Sequence, residues 1–236
     1  MNNVLVIIFT FLSVNAAAQS TTQSLTSPAP NIDDPQRVYV LFSPPSRGEF
    51  EKAIDYQIRL SEARKRAIGV YTFELSPDQL SISYDPDAEA FTITTSGERV
   101  ASYGPPSRLA FRVALLATNR SEHPAQNVFG ARFTVKHLDT TAYEILVSDP
   151  ALREPIMIVQ SSPDDAAKLK QSLGVAITCR LGEDAIMPER FTRLTATFDQ
   201  PLEGTRRTLR LLGNVLNFRV RDKTTGRLLA EVIEGR

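Results

Sequence analysis

The predicted fold depends most on residues 205–234, TRRTLRLLGNVLNFRVRDKTTGRLLAEVIE. The dipeptide Gly213-Asn214 separates two strand-like runs, Arg206–Leu212 and Val215–Arg221. This pattern is typical of a β-hairpin with a two-residue turn. A third run, Leu228–Ile233, follows after a short polar segment. We therefore predict a three-stranded meander at the C-terminus.

The register of this hairpin predicts one apolar face and one basic face. Leu211 would lie across from Leu216, and Leu209 across from Phe218, on the apolar face. On the basic face Arg206 would lie across from Arg221, and like charges in that position are unfavourable. The candidate binding residues of this face are Arg206, Arg210, Arg219 and Arg221.

An anion near the basic face would relieve the repulsion between its arginines. It could be an acidic side chain from another element, a partner protein, or an anionic glycan or lipid head group. The alternative is a solvated edge on which the guanidinium groups point into water. Nucleic acid is not expected, because stacking platforms need aromatic residues among the bases and the chain has no tryptophan.

The whole chain is predicted to be α+β, with mostly antiparallel sheets and two capped helices over residues 47–68 and 163–173. Each helix follows a serine that can act as N-cap and precedes a glycine that can end it. These residues are Ser46 and Gly69 for the first helix, and Ser162 and Gly174 for the second.

Three further local patterns give secondary-structure predictions. Alternating apolar residues predict a strand over Arg37–Ser43. A proline within Asn119–Asn127 predicts a loop there, and Asp139-Thr140-Thr141 predicts a tight connection between two strands.

The N-terminus has the pattern of a secretory signal peptide. An apolar run, Val4–Val14, is followed by Ala16-Ala17-Ala18, and the run is shorter than the ~20 residues that span a bilayer. An uncleaved interfacial anchor is the alternative.

The predicted segments are a signal peptide (1–18), a disordered Ser/Thr/Pro-rich spacer (19–36), an N-terminal α+β region (37–149) and a C-terminal α+β region (150–236). The two α+β regions form one domain or two small ones.

The charge and cysteine content fit an exported bacterial protein. The chain has 27 basic and 27 acidic residues, and Cys179 is its only cysteine, so no intramolecular disulfide can form. A secreted chain without disulfides suits a bacterial periplasm. Cys179 lies on the apolar face of a predicted strand and is interpreted as a core residue.

No motif predicts catalytic residues, a cofactor or a metal site. His123 and His137 lack metal-chelating spacing, and residues 85–89 lack the glycine and glutamate that would continue a calcium loop. The chain has no nucleophile elbow, phosphate-binding loop or dinucleotide fingerprint. An enzyme is therefore not favoured, although carboxylates distant in sequence could still pair in a hydrolase.

Four short segments resemble a group of known proteins. They are YDPDAEAF (84–91), QNVFGA (126–131), AAKLK (166–170) and TTGRLL (224–229). In these segments the chain resembles uncharacterised secreted proteins of Gram-negative bacteria from families of unknown function. The resemblance implies a periplasmic α+β protein, and it brings no known activity, cofactor or site residue.

Together these observations favour a non-enzymatic periplasmic binding or accessory module. Its partner would be an envelope protein or an anionic glycan or lipid at the basic face, and it would touch a membrane only through the signal peptide before cleavage. The alternatives are a periplasmic hydrolase that uses carboxylates, and a structural homo-oligomer built through sheet edges.

Overall fold

The computed structural model describes residues 31–43, 46–100, 108–127, 129–148, 154–197 and 199–233. The predicted signal peptide, residues 19–30 of the predicted spacer and the predicted boundary at 149/150 lie outside these ranges. The described chain is mixed α and β, mostly strand, with antiparallel sheets, so the prediction is confirmed at this level.

The described residues contain three helices, eleven strands and one short 3-10 turn, Pro77–Gln79. The helices are α1 (Pro35–Phe42), α2 (Ala53–Ala67) and α3 (Pro163–Ser172). The strands are β1 (Gly69–Glu74), β2 (Leu80–Asp85), β3 (Ala90–Thr95), β4 (Glu98–Val100), β5 (Arg108–Gln126), β6 (Arg132–Val147), β7 (Ile156–Gln160), β8 (Leu173–Ile186), β9 (Arg190–Leu194), β10 (Leu202–Asp222) and β11 (Leu228–Ile233).

The strands form two sheets. The larger has the order β1-β8-β10-β6-β5-β4, and β9 and β11 also pair with β10. The smaller has the order β2-β3-β7. Every pairing is antiparallel except that of β10 with β6, which is parallel.

The predicted hairpin at Gly213-Asn214 is wrong, because β10 continues through both residues. The first half of β10 pairs with β6 and β9, and the second half with β8 and β11. Gly213 permits a close approach between strands instead of a turn: a Cβ there would lie 2.9 Å from Leu181 Cδ2. The register of β10 against β8 shifts between Leu211 and Gly213, as at a β-bulge. Of the predicted meander, only the antiparallel pairing of the last two runs is present.

The predicted strand over Arg37–Ser43 is helix α1, which also includes the last two residues of the predicted spacer (19–36). Asp34 is the N-cap, its Oδ1 accepting from Gln36 N at 3.0 Å, and Pro35 is the first helical residue. The buried residues Val38, Tyr39 and Phe42 have helical spacing and lie on one side. Over only seven residues, the alternation of apolar residues did not distinguish the buried side of a helix from the buried face of a strand.

The first predicted capped helix begins later than expected. Helix α2 starts at Ala53, and Lys52 occupies the N-cap position without a side-chain cap, so Ser46 and Glu49 do not form a capping box. Instead Glu51 Oε2 accepts from Gly48 N at 3.1 Å. Helix α3 covers 163–172, and Ser162 Oγ accepts from Asp165 N at 3.3 Å.

The predicted loop over 119–127 and the predicted connection at 139–141 are also wrong. Strands β5 and β6 pair from Ala110 with Leu146 out to Gln126 with Arg132, which includes both segments. A proline is tolerated in β5 because the distal half of this strand pairs on one side only. Asn127 and Ala131 follow and precede the paired strands, and Asn127 Oδ1 accepts from Ala131 N at 3.0 Å.

One hydrophobic cluster links both sheets and α1. Phe111 of β5 and Phe218 of β10 pack edge to face with ring centroids 5.4 Å apart. Phe42 of α1 and Phe91 and Ile93 of β3 are fully buried in the same cluster. Strands from both predicted regions therefore contribute to the core that positions the surface described next.

Candidate functional site

The structure does not bring the four predicted binding arginines together on one face. Arg206 lies between Thr140 and Thr192, whereas Arg221 lies beside Gly174. The two residues belong to opposite halves of one extended strand, about 50 Å apart along it at ~3.3 Å per residue. The predicted repulsion between them does not occur.

Three of these arginines have carboxylate partners on neighbouring strands. This is the first of the three sources of an anion considered above, an acidic side chain from another element. The pairs are Arg210 Nε with Glu144 Oε2 at 2.9 Å, Arg219 Nε with Glu231 Oε1 at 2.8 Å, and Arg221 Nη2 with Glu74 Oε2 at 2.5 Å. The fourth, Arg206, has a buried Nε that has no hydrogen-bond partner among the described residues.

Arg221 lies next to a cleft of about 360 Å³ at the end of the larger sheet. We call this the Glu74 cleft; its lining residues are Glu74, Leu75, Pro77, Leu80, Ile82, Lys170, Gln171, Leu173, Gly174 and Lys223. Strands β1 and β8, helix α3 and strand β2 each contribute to it. One part of the lining is apolar and the other is charged.

Gly174 keeps this cleft open. A Cβ at this position would lie 2.9 Å from Lys223 Cγ and Cδ and 3.2 Å from Glu74 Oε1. Any larger residue would therefore displace the charged side chains. The sequence predicted Gly174 as the residue that ends a helix and begins a strand; it lies in strand β8, buried at a point of close approach.

The charged part of the cleft has an excess of positive charge. Glu74 accepts from Arg221 and lies 3.7 Å from Lys223 Nζ. Lys170, in the last turn of α3, has no carboxylate partner in the described part of the chain. Arg221, Lys223 and Lys170 thus lie in or beside a cleft whose lining has one carboxylate, Glu74, and the local field favours a further anion.

The backbone on either side of Lys223 is held by hydrogen bonds. Lys223 N donates to Ser172 O at 2.7 Å. Asp222 accepts from Thr225 Oγ1 at 2.7 Å and from Thr224 N at 2.9 Å. These bonds, led by that from Thr225, lower the pKa of Asp222 to about 2. The lysine is therefore presented from an ordered turn.

A second cluster brings the two histidines together, which their sequence spacing did not predict. His137 Nδ1 lies 3.2 Å from Glu203 Oε1, and His137 Nε2 lies 3.1 Å from Asp139 Oδ2. His123 Nε2 lies 3.9 Å from the same Glu203 oxygen. Strand register determines this arrangement, because His137 is paired with Glu203 across β6 and β10. A neighbouring cleft of about 290 Å³ includes His137, Arg193 and Glu203.

The second cluster holds charge and does not have the chemistry of a general acid–base pair. Both nitrogens of His137 face carboxylates, so the ring has no nitrogen available to activate a nucleophile. Hydrogen bonds that the ring donates to Asp139 and then to Glu203 raise the pKa of His137 and favour imidazolium. The hydrogen bond with His137 lowers the pKa of Asp139, so this carboxyl group is favoured in its ionised form. A general acid needs the protonated form. Among the described residues, no group of three or more His, Cys, Asp or Glu side chains could hold a metal ion.

Cys179 is a core residue in the structure. It is fully buried on β8, and desolvation, followed by the charge of Asp33, raises the pKa of its thiol to about 12. A thiolate nucleophile needs the opposite environment, with the pKa lowered by nearby positive charge.

Comparison of the chain with protein-family models, with curated proteins and with solved structures found no match. None of the described helices is long and apolar enough to cross a membrane.

Proposed function

We propose that this protein is an exported, non-enzymatic binding or accessory module of the Gram-negative periplasm, and that its ligand site is the Glu74 cleft. The observation that carries the proposal is the cationic excess around Glu74 beside an apolar wall. Small-molecule sites commonly have volumes of about 300–1,000 Å³ and combine an apolar lining with a few polar groups. The ligand class that fits is an amphipathic anion.

The charged part of the cleft would bind the anionic group of the ligand, and the apolar part would bind its hydrophobic group. Lys170 and Lys223 would bind its anionic group, with Arg221 stabilising Glu74 behind them. Leu80 and Ile82 of β2 would contact its apolar part. An anionic lipid fits both requirements, whereas an anionic glycan would leave the apolar wall without a partner.

The proposal replaces most of the predicted basic face. Arg210 is buried and paired with Glu144, so binding would require its ion pair to break. Arg221 remains part of the proposed site through its bond to Glu74, and Lys170 and Lys223 supply the accessible charge.

Fluorescence titration with 1-anilinonaphthalene-8-sulfonate, an amphipathic anion, tests the site directly. We expect binding at low salt, and Lys170→Glu and Lys223→Glu should each weaken it by about tenfold by turning attraction into repulsion. Lys168→Glu is the matched control, because Lys168 lies on the same helix but does not line the cleft.

Two further measurements test the contribution of the charged side chains. In 1 M salt the Debye length is about 3 Å, so the difference between wild type and Lys170→Glu should shrink. Gly174→Ala should also weaken binding, because its Cβ would displace Lys223. If Lys168→Glu weakens binding as much as Lys170→Glu does, the Glu74 cleft is not the site.

A hydrolase that uses Asp139 and Glu203 is the second candidate function. Its supporting observation is that both carboxylates bind one imidazole ring, which places them within the ~10 Å that glycoside hydrolysis requires. Hydrolysis of a chromogenic glycoside that Asp139→Asn abolishes would support it. The lowered pKa of Asp139 is the reason that we place this function second.

A further inference from the structure

Strands β5 and β6 extend past the start of β10 as a two-stranded arm. We use this name for residues 119–126 of β5 and 132–137 of β6, which pair with each other along this length. Strand β4 pairs only with the beginning of β5, and β10 pairs with only two residues of the arm, Lys136 and His137. At the same place Lys136 N donates to Pro201 O at 2.8 Å. Among the described strands, the arm is therefore held to the larger sheet only at its base.

The strand ladders on both sides of β6 are interrupted where the arm meets the larger sheet. On one side the register of β5 against β6 shifts between Ala117 and Asn119, as at a β-bulge. On the other side the pairing of β10 with β6 omits Gly204 and Thr205, and Gly204 has a φ of +145°. The Asp139 side chain takes the place of a ladder bond there, because its Oδ1 accepts from Thr205 N at 2.8 Å. These two interruptions form a hinge at the base of the arm.

The histidine cluster spans this hinge. His137, on the arm, lies 3.2 Å from Glu203 Oε1 of β10 and 3.1 Å from Asp139 Oδ2 at the hinge. His123, also on the arm, lies 3.9 Å from the same Glu203 oxygen. An imidazolium donates from both ring nitrogens, whereas a neutral imidazole donates from only one. Loss of the proton from His137 therefore removes one of its two hydrogen bonds and the charge attraction behind both.

We propose that this cluster is a pH-sensitive latch, in which protonated His137 holds the arm against the start of β10 and neutral His137 releases the arm to turn at the hinge. His137 and Glu203 also line the cleft of about 290 Å³, so release of the arm widens that cleft. The latch is complete below the ordinary histidine pKa of about 6.5, and it is lost as the pH rises through the higher pKa of the closed arm. It shares no lining residue with the Glu74 cleft, so the latch and the proposed function can fail separately.

The other charged groups around His137, in the part of the chain that the structure describes, do not hold the arm. Arg193 of β9 lines the same cleft, but β9 pairs with β10 and not with the arm. Ser121 of β5 lies directly opposite His137 and is uncharged. The charged residues next to these two positions point to the opposite face of the arm, because side chains alternate along a strand. They are Arg120, Glu122 and Lys136. Protonation of His137, with a smaller contribution from the more distant His123, therefore controls the latch.

Double electron–electron resonance between two nitroxide labels measures the position of the arm. One label is attached at Phe129→Cys, in the turn between the two strands of the arm, and the other at Arg66→Cys on α2; Phe129 is 91% exposed and the Arg66 side chain 79%. Cys179 is the only native cysteine and is fully buried, so only the introduced sites are labelled. We expect one distance at about pH 5.5 and a second, displaced population that grows as the pH rises above about 6.5. The ratio of the second population to the first should change about tenfold for each pH unit that separates the pKa values of the closed and the open arm.

Three variants identify the group that titrates. His137→Gln should give a distance distribution that does not change with pH, because glutamine neither gains nor loses a proton. Glu203→Gln should populate the open arm even at about pH 5.5, because the imidazolium then lacks its carboxylate partner on β10. Lys136→Gln is the matched control: it removes a neighbouring charge on the opposite face and should keep the wild-type response. A wild-type distribution that is the same at every pH, or a pH response that persists in His137→Gln, overturns the inference.

Discussion

Glu144 gives the sharpest test of the structure, because it lies between two arginines in the middle of the larger sheet. It is paired in register with Arg112 of β5 on one side and with Arg210 of β10 on the other. Its carboxylate binds Arg210 at 2.9 Å, and their side chains are only 5% and 10% exposed. Arg112 forms its ion pair with Asp78 instead, at 2.5 Å. Glu144→Gln would therefore leave Arg210 as a buried cation without a counter-charge.

The expected cost follows from that burial. Breaking a buried pair by removing one partner typically costs about 3–5 kcal/mol. For a chain of this size each kcal/mol lowers the melting temperature by about 2–4 °C, so we expect a decrease of about 6–20 °C. The double variant Glu144→Met/Arg210→Met should lose less stability than Glu144→Gln, because it leaves no charge uncompensated.

Urea and thermal unfolding followed by circular dichroism measure this effect. The matched control is Glu62→Gln, which removes an exposed ion pair with Arg66 and should change the free energy of unfolding by less than about 1 kcal/mol. If Glu144→Gln is no more destabilising than Glu62→Gln, the pair is not buried in solution and the register of β6 with β10 is wrong.

Three other expectations concern separate parts of the chain. Gly204 has a φ of +145°, and a Cβ there would lie 2.0 Å from Leu138 O, so Gly204→Ala should lower stability by more than about 3 kcal/mol in urea unfolding. The pKa of His137 is higher in the folded protein than its value of about 6.5 in the unfolded chain. The ion pairs of His137 therefore stabilise the fold fully below about pH 6.5, and this stabilisation is lost as the pH rises through the pKa of the folded state. Wild type should therefore lose stability relative to His137→Gln as the pH rises above about 6.5, and parallel curves would contradict the two carboxylate contacts. Burial raises the pKa of Cys179 to about 12, so it should react with Ellman's reagent at about pH 8 only after unfolding, and immediate reaction would contradict its burial.

Local patterns in the sequence predicted most element types but not where strands continue or end. The pair Gly213-Asn214 has the composition of a hairpin turn, yet strand β10 continues through it because the close packing of Leu181 requires a glycine there. A short motif cannot distinguish a turn glycine from a bulge glycine, since the deciding contact comes from another strand. Helix α1 was missed for a similar reason, because the N-cap at Asp34 lay inside a segment interpreted as a spacer.

The candidate site depended even more on contacts between distant residues. Lys223 belongs to the short polar segment before the third predicted run, but its neighbours Glu74 and Lys170 come from β1 and α3, and only the sheet order brings them together. The same holds for His123 and His137, which converge because β5, β6 and β10 are adjacent. Strand order was the missing information in both cases, and the composition of one segment does not contain it.

The central position of β10 has a consequence for how the chain is made. This strand lies between β8 and β6, yet it follows both of them in the chain. Until residue 222 has emerged from the ribosome, β6 and β8 each present an unpaired edge, which is a template for pairing with other chains. The larger sheet can therefore close only after β10 has been made, and long-range pairings of this kind form slowly. A nascent chain with this order of strands gains from a chaperone that covers those two edges until the C-terminal strands arrive.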